Sequence, residues 1–183
     1  MPRTSRFALP VTAAKVLVLA KTRALLVNNL VNIRYLTGLD VSAGSMLALP
    51  KGYVLYADPR YSENARASVP YGIRVKAAED LAGDLAKLRS CGFESEHMSV
   101  ASLARWKKKF KNTKFVQTNG VIEEFRRAKS AHELSAIARA CRITKTILRR
   151  IPAFLVPGIS ERELEWRIAS EARALGAEGM AFD

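Results

Sequence analysis

Few side chains in this 183-residue chain are equipped for covalent or metal chemistry. The two histidines, His97 and His132, stand far apart in the sequence. His132-Glu133 is not followed by a second His one helical turn on, so the paired imidazoles of a zinc helix are missing. His132 is expected on the wet side of a first helical turn, and His97 in a loop. Cys91 and Cys141 form neither a C-x-x-C pair nor a disulfide framework. Both are expected to be buried as small hydrophobes rather than poised as nucleophiles. Asp80 and Asp84 share a helix face, but no His lies near them, so they are expected to be solvated. No GxxxxGK, GxGxxG or GxSxG run occurs. Residue type and spacing alone therefore assign no catalytic, cofactor-binding or metal-ligating residue.

The charge is informative. The net charge is +13, and residues 1–120 hold 19 basic and 8 acidic side chains against 11 and 9 in residues 121–183. The excess is densest at Arg105, Lys107, Lys108, Lys109, Lys111 and Lys114. Such a patch suits an acidic partner or phosphates. It also suits a solvated helix end, because Trp106 and Phe110 lie four apart and can pack while the lysines stay wet. Zinc-finger spacing and an aromatic-rich basic strand are both missing, so nucleic acid is not expected as a partner. No window offers about 20 apolar residues, which excludes a transmembrane helix. Lys15 interrupts the apolar stretch after Arg3 and Arg6, and no small-x-small pattern follows, so a cytoplasmic protein is expected.

The elements that must carry these side chains read as α/β followed by helices. Residues 12–20 suit a short helix. Residues 24–28 are apolar on both faces, as a buried strand requires. Residues 32–38 read as one or two helical turns, with Asn32 capping the start and Gly38 the end. Strands at 46–49 and 53–57 flank Pro50-Lys51-Gly52, a hairpin signature. Asp58-Pro59 opens a helix over 60–68, and 71–75 is a strand. Leu81, Leu85 and Leu88 mark a helix over 78–88. A strand at 91–95, a helix to Phe110 and a strand at 114–117 complete the alternation, which predicts a mixed, helix-covered sheet. Beyond Gly120 strands cease. Ser130 and Ser160 each open a capping box. Leu134, Ile137, Cys141, Leu148 and Ile151 form the first apolar stripe, and Leu164, Ile168, Ala172 and Leu175 the second, with a break over 152–158.

Certain runs resemble a known family. Asn32-Ile33-Arg34-Tyr35-Leu36-Thr37-Gly38-Leu39 and Asp58-Pro59-Arg60-Tyr61-Ser62-Glu63-Asn64-Ala65 are similar to segments of the N-terminal domain of the creatinase/prolidase/aminopeptidase P metallopeptidases. Phe125-Arg126-Arg127-Ala128-Lys129-Ser130 and Pro157-Gly158-Ile159-Ser160-Glu161-Arg162-Glu163-Leu164 resemble the opening of the catalytic domain. The resemblance implies a ribonuclease-H-like domain over 1–120 and the start of a pita-bread domain over 121–183. Full-length members cleave before proline with two divalent metals, commonly manganese. Their ligands match no position here, so the expectation is that this chain has no catalytic, metal or cofactor residue and is a truncated form. Asn32, Arg34, Tyr35, Gly38, Asp58, Arg60, Tyr61, Gly158 and Glu161 are expected to be structural. The resemblance also implies a homo-oligomer, or pairing with a full-length paralogue. The loop over 40–45 would then border a neighbour's cleft. A binding module that uses the basic patch is the alternative reading.

Overall fold

A computed structural model describes residues 9–58 and 65–180. The chain divides into two compact units, Met1–Arg127 and Ala128–Asp183. The first unit carries a six-stranded mixed sheet. Its strands are β1 (Leu25–Val27), β2 (Gly44–Leu49), β3 (Gly52–Ala57), β4 (Ile73–Ala77), β5 (Ser90–Glu94) and β6 (Lys114–Thr118), in the order β4-β3-β2-β1-β5-β6. β2 pairs antiparallel with β1 and β3, and the other pairs are parallel. Helices α1 (Ala13–Ala20), α2 (Leu30–Thr37) and α5 (Val121–Arg127) cover one face. Helices α3 (Asp80–Ala86) and α4 (Val100–Lys109) cover the other.

Alternation along the strands explains the two cores. Leu25, Val27, Met46, Ala48, Tyr53 and Leu55 meet α1, α2 and α5. Their neighbours Leu26, Leu47, Val54 and Tyr56 meet α3 and α4. Successive residues point to opposite faces, so a strand buried on both sides is apolar throughout. On the second face, Trp106, Phe110 and Phe115 form a cluster of ring pairs with centroids 5.9 to 6.4 Å apart. This packs one side of α4 and leaves Arg105, Lys107, Lys108 and Lys109 in water, as the spacing predicted. Lys109 Nζ lies 5.5 Å from the Phe110 ring centroid.

The structure differs from the sequence expectation at several points. The expected junction was Gly120, yet α5 follows it and buries Val121 and Ile122 in the first unit. Cys91 is buried, and burial pushes its thiol up to about 12. Cys141, by contrast, is exposed. In the second unit, α6 (Ala131–Phe154) runs through Pro152, and its break begins only at Leu155. Proline removes one backbone donor but does not stop the next turn, since Leu155 N still reaches the Ile151 carbonyl at 3.2 Å. Helix α7 (Glu161–Ala174) follows, and both helices keep their capping boxes. Ile147 and Ala172 are buried, while Leu134, Ile137 and Leu148 of the expected stripe are exposed. An ion pair of Arg150 with Glu171 joins the two helices.

Asp84 is not solvated as expected. It accepts from Tyr56 Oη at 2.7 Å, Lys76 Nζ at 2.5 Å and Lys87 Nζ at 3.2 Å. The Lys76 ammonium leads in holding its carboxyl down at about 2, while burial first and the Asp84 contact second raise the Tyr56 phenol. A depressed carboxyl stabilises the fold above its unfolded value, and that contribution fades as pH falls through the folded one. Urea unfolding of the wild type should therefore lose up to about 2 kcal/mol between roughly pH 5 and pH 2 that Asp84→Asn does not lose. Gly52 tests the hairpin. Its φ is +120°, and a Cβ there would stand 2.9 Å from the Gly72 carbonyl oxygen. Gly52→Ala should lower stability by roughly 1–3 kcal/mol in the same assay.

Candidate functional site

The densest buried polar cluster among the described residues lies where β1 and β5 end and α2 begins. Glu94 closes β5, an otherwise apolar strand, and is only 7% exposed. Its Oε2 accepts from the backbone N–H groups of Asn28 and Asn29, both at 2.7 Å. Its Oε1 accepts from Asn32 Nδ2 at 2.6 Å. The same amide nitrogen donates its second proton to Glu123 Oε1 at 2.6 Å, and Arg126 Nη1 donates to Asn32 Oδ1 at 2.9 Å. Asn29 Nδ2 approaches the same Glu123 oxygen at 3.3 Å and His97 Nε2 at 2.9 Å. Ser45 Oγ donates to Asn28 Oδ1 at 2.9 Å, which adds β2 to the network.

Local geometry explains why these groups converge. Asn29, not Asn32, is the N-cap of α2, with Oδ1 accepting from Val31 N at 3.0 Å. This corrects the capping role expected for Asn32, which lies inside the helix with 0% exposure. Gly38 does end the helix, at φ 72°. The N–H of the N-cap Asn29 and that of Asn28 before it meet Glu94, and a helix N-terminus favours a negative charge. Burial nevertheless raises the Glu94 carboxyl above its ordinary value. The donors from Asn29, Asn32 and Asn28 pull it back, and the nearby Glu123 charge adds to the rise.

The remaining motif residues are dispersed. Tyr35 is half-buried, and its Oη donates to the Phe125 carbonyl at 3.3 Å, a second tie between α2 and α5. Arg34 pairs with Asp40 on the surface at 3.4 Å. Asp58 follows β3, and the helix it was expected to cap begins outside the described residues, as do Arg60 and Tyr61. Gly158 (φ 87°) and Glu161 lie before and at the start of α7 in the second unit. The cluster thus joins Asn32 to four residues that spacing did not single out: Asn29, Glu94, Glu123 and Arg126. A Glu ending an apolar strand was the one available signal for Glu94.

As chemistry, the cluster is a clamp. Each Glu94 oxygen is occupied by donors, and both Asn32 protons are used, so neither residue is free for proton transfer. No group of three or more His, Cys, Asp or Glu side chains suited to a metal ion occurs among the described residues. Nor does the donor set fit a two-metal centre, because the Glu94 and Glu123 carboxylates already share amide donors.

A mixed six-stranded sheet with helices on both faces, tied at one end by a buried carboxylate clamp, defines a mixed α/β domain. The Creatinase/Prolidase N-terminal domain family matches residues 12–128, and this chain belongs to that family. It is 26% identical over 166 residues to the uncharacterized peptidase YqhT of Bacillus subtilis, covering 87% of this chain and 47% of that protein. An Xaa-Pro dipeptidase of Pyrococcus horikoshii is 26% identical over 155 residues, covering 83% of this chain and 44% of the other. The solved Xaa-Pro dipeptidase from Bacillus anthracis superposes with a TM-score of 0.83 at 26% identity, over 93% of this chain and 50% of that one. The chain therefore spans about half the length of the relatives it matches.

Asn32 is the test of the clamp. Asn32→Ala strands the buried Glu94 and the half-buried Glu123 and Arg126, and should cost roughly 2–4 kcal/mol in urea unfolding. Asn32→Asp places a third carboxylate beside Glu94 and Glu123, so its folded pKa rises. Its stability deficit should then deepen as pH rises from about 4 to about 7, the reverse of the Asp84 effect.

Proposed function

We propose that this chain forms the N-terminal, non-catalytic part of an Xaa-Pro peptidase, a hydrolase acting on the bond before proline. The observation that supports this is family membership over residues 12–128, joined to a fold match over half of an Xaa-Pro dipeptidase. The two divalent metals of such a hydrolase, manganese by resemblance, would be held by residues other than these 183. Residues 128–183 would be the start of the metal-binding domain. Two unbridged cysteines, one of them exposed, suit a reducing cytoplasm. The purified chain, assayed with Xaa-Pro and Xaa-Pro-Yaa peptides and manganese, should release no amino acid, and calorimetry should detect no stoichiometric manganese binding. Turnover proportional to chain concentration would overturn the reading.

Self-association, or pairing with a full-length paralogue, is the accompanying proposal. Leu134, Ile137 and Leu148 on α6 and Trp166 on α7 are exposed, and Trp166 is 71% exposed. Apolar surface of this kind favours association. Sedimentation should show a dimer or larger species that Leu134→Glu combined with Leu148→Glu dissociates.

A further inference from the structure

The topology of the first unit gathers unpaired cations that are scattered in the sequence. β1, β5 and β6 run parallel, so their first residues share one edge of the sheet. β2 is antiparallel to β1, which brings the Pro50-Lys51 turn to the same edge. Lys21 and Arg23 precede β1, Lys51 sits in that turn, Arg89 precedes β5, Lys111 precedes β6 and Lys114 begins it. All six are exposed, and among the described residues none is in an ion pair. Neighbouring strands stand about 4.8 Å apart, so these side chains spread over roughly 15 Å. The last turn of α4, with Lys107, Lys108 and Lys109, extends the row.

The acids lie elsewhere. Glu94 ends β5, Asp58 follows β3, Glu79 and Asp80 start α3, and Glu123 and Glu124 lie in the first turn of α5. All are at the opposite edge, and Asp84 is occupied by Lys76 and Lys87. Within the cationic edge is a cleft of about 570 Å³, lined by Lys21, Thr22, Arg23, Pro50 and Ser90 together with the apolar Leu17 and Val18 of α1. Thr22 Oγ1 is buried there without a hydrogen-bond partner among the described residues.

We propose that this edge binds the phosphate backbone of a nucleic acid without reading its sequence. Lysine predominates, and lysine is a point charge suited to phosphate but depleted at protein–protein interfaces. A membrane-binding face would need a broad apolar surface, whereas the apolar side chains here are confined to Leu17, Val18 and Pro50 beside the cations, Thr22 and Ser90. Lys111 and Lys114 belong to the patch that the sequence already marks as suited to phosphates, and the alignment of β1, β5 and β6 adds Lys21, Arg23, Lys51 and Arg89 to it.

The test uses the full chain and a labelled, mixed-sequence single strand of about 20 nucleotides, read by fluorescence anisotropy. Affinity should fall by roughly two orders of magnitude between about 50 and about 200 mM salt, as four to six phosphate contacts require. The combined variant Arg23→Glu, Lys51→Glu, Arg89→Glu and Lys111→Glu should weaken binding at least about tenfold more than Arg139→Glu, Arg142→Glu, Lys145→Glu and Arg149→Glu on α6, which changes net charge equally. Circular dichroism checks folding, and the four Gln substitutions replace the Glu set if it unfolds. Equal losses in the two variants, a salt-independent affinity, or tighter binding to phosphatidylserine vesicles or polyglutamate than to the oligonucleotide would each overturn the proposal.

Discussion

The first unit depends on one carboxylate. Glu94 sits where two parallel strands end and a helix begins, and it accepts the backbone N–H groups of Asn28 and of the N-cap Asn29. Burying a charge costs several kcal/mol unless donors surround it. Here two backbone donors and the Asn32 amide do so, and the helix dipole has the right sign. Burial still raises the carboxyl, so the clamp is a balance between desolvation and donation rather than a simple gain. Its value is geometric. One residue ties the start of α2 to the end of β5.

Asn32 carries that constraint outward. A carboxylate in its place could not donate to Glu94 and Glu123, and an apolar residue could do neither that nor accept from Arg126. A primary amide with two protons and one carbonyl meets all three demands. This joins α5, which begins nearly 90 residues later, to the start of α2. Tyr35, one turn on, repeats the tie through the Phe125 carbonyl. Asn32 and Tyr35 therefore act together, one through buried polar groups and one through a half-buried ring.

Much of this fold was legible because its signals are local. The hairpin follows from Pro50-Lys51-Gly52 between apolar runs, and the packed side of α4 from the Trp106–Phe110 spacing. What escaped was set by tertiary partners. Local capping rules favour Asn at a helix start but do not distinguish Asn29 from Asn32, and Glu94 decided it from 62 residues away. Helix α5 spans seven residues, four of them charged, too few for a periodic apolar pattern. Asp84 looked solvated because its partners Tyr56 and Lys76 come from two sheet strands. The stripe expected on α6 leaves out Ile147, because local periodicity does not say which residue meets a partner. Ile147 is buried, while Leu148 beside it is 61% exposed.

The same topology that builds the clamp also sorts the charge. In a parallel crossover each helix ends where the next strand begins, so helix C-termini gather at one edge of the sheet and N-termini at the other. Cations complement the first and anions the second. Lys107, Lys108 and Lys109 close α4 just before β6, while Glu123 and Glu124 open α5 just after it. Lys87 ends α3 before β5, and Glu94 ends β5 before its turn. Among the described residues, these cations and acids thus stand at opposite edges of the sheet. A row of cations along a strand edge follows from where the helices must stop, and the acids that might have neutralised it are held on the far side by the clamp and the starts of α3 and α5.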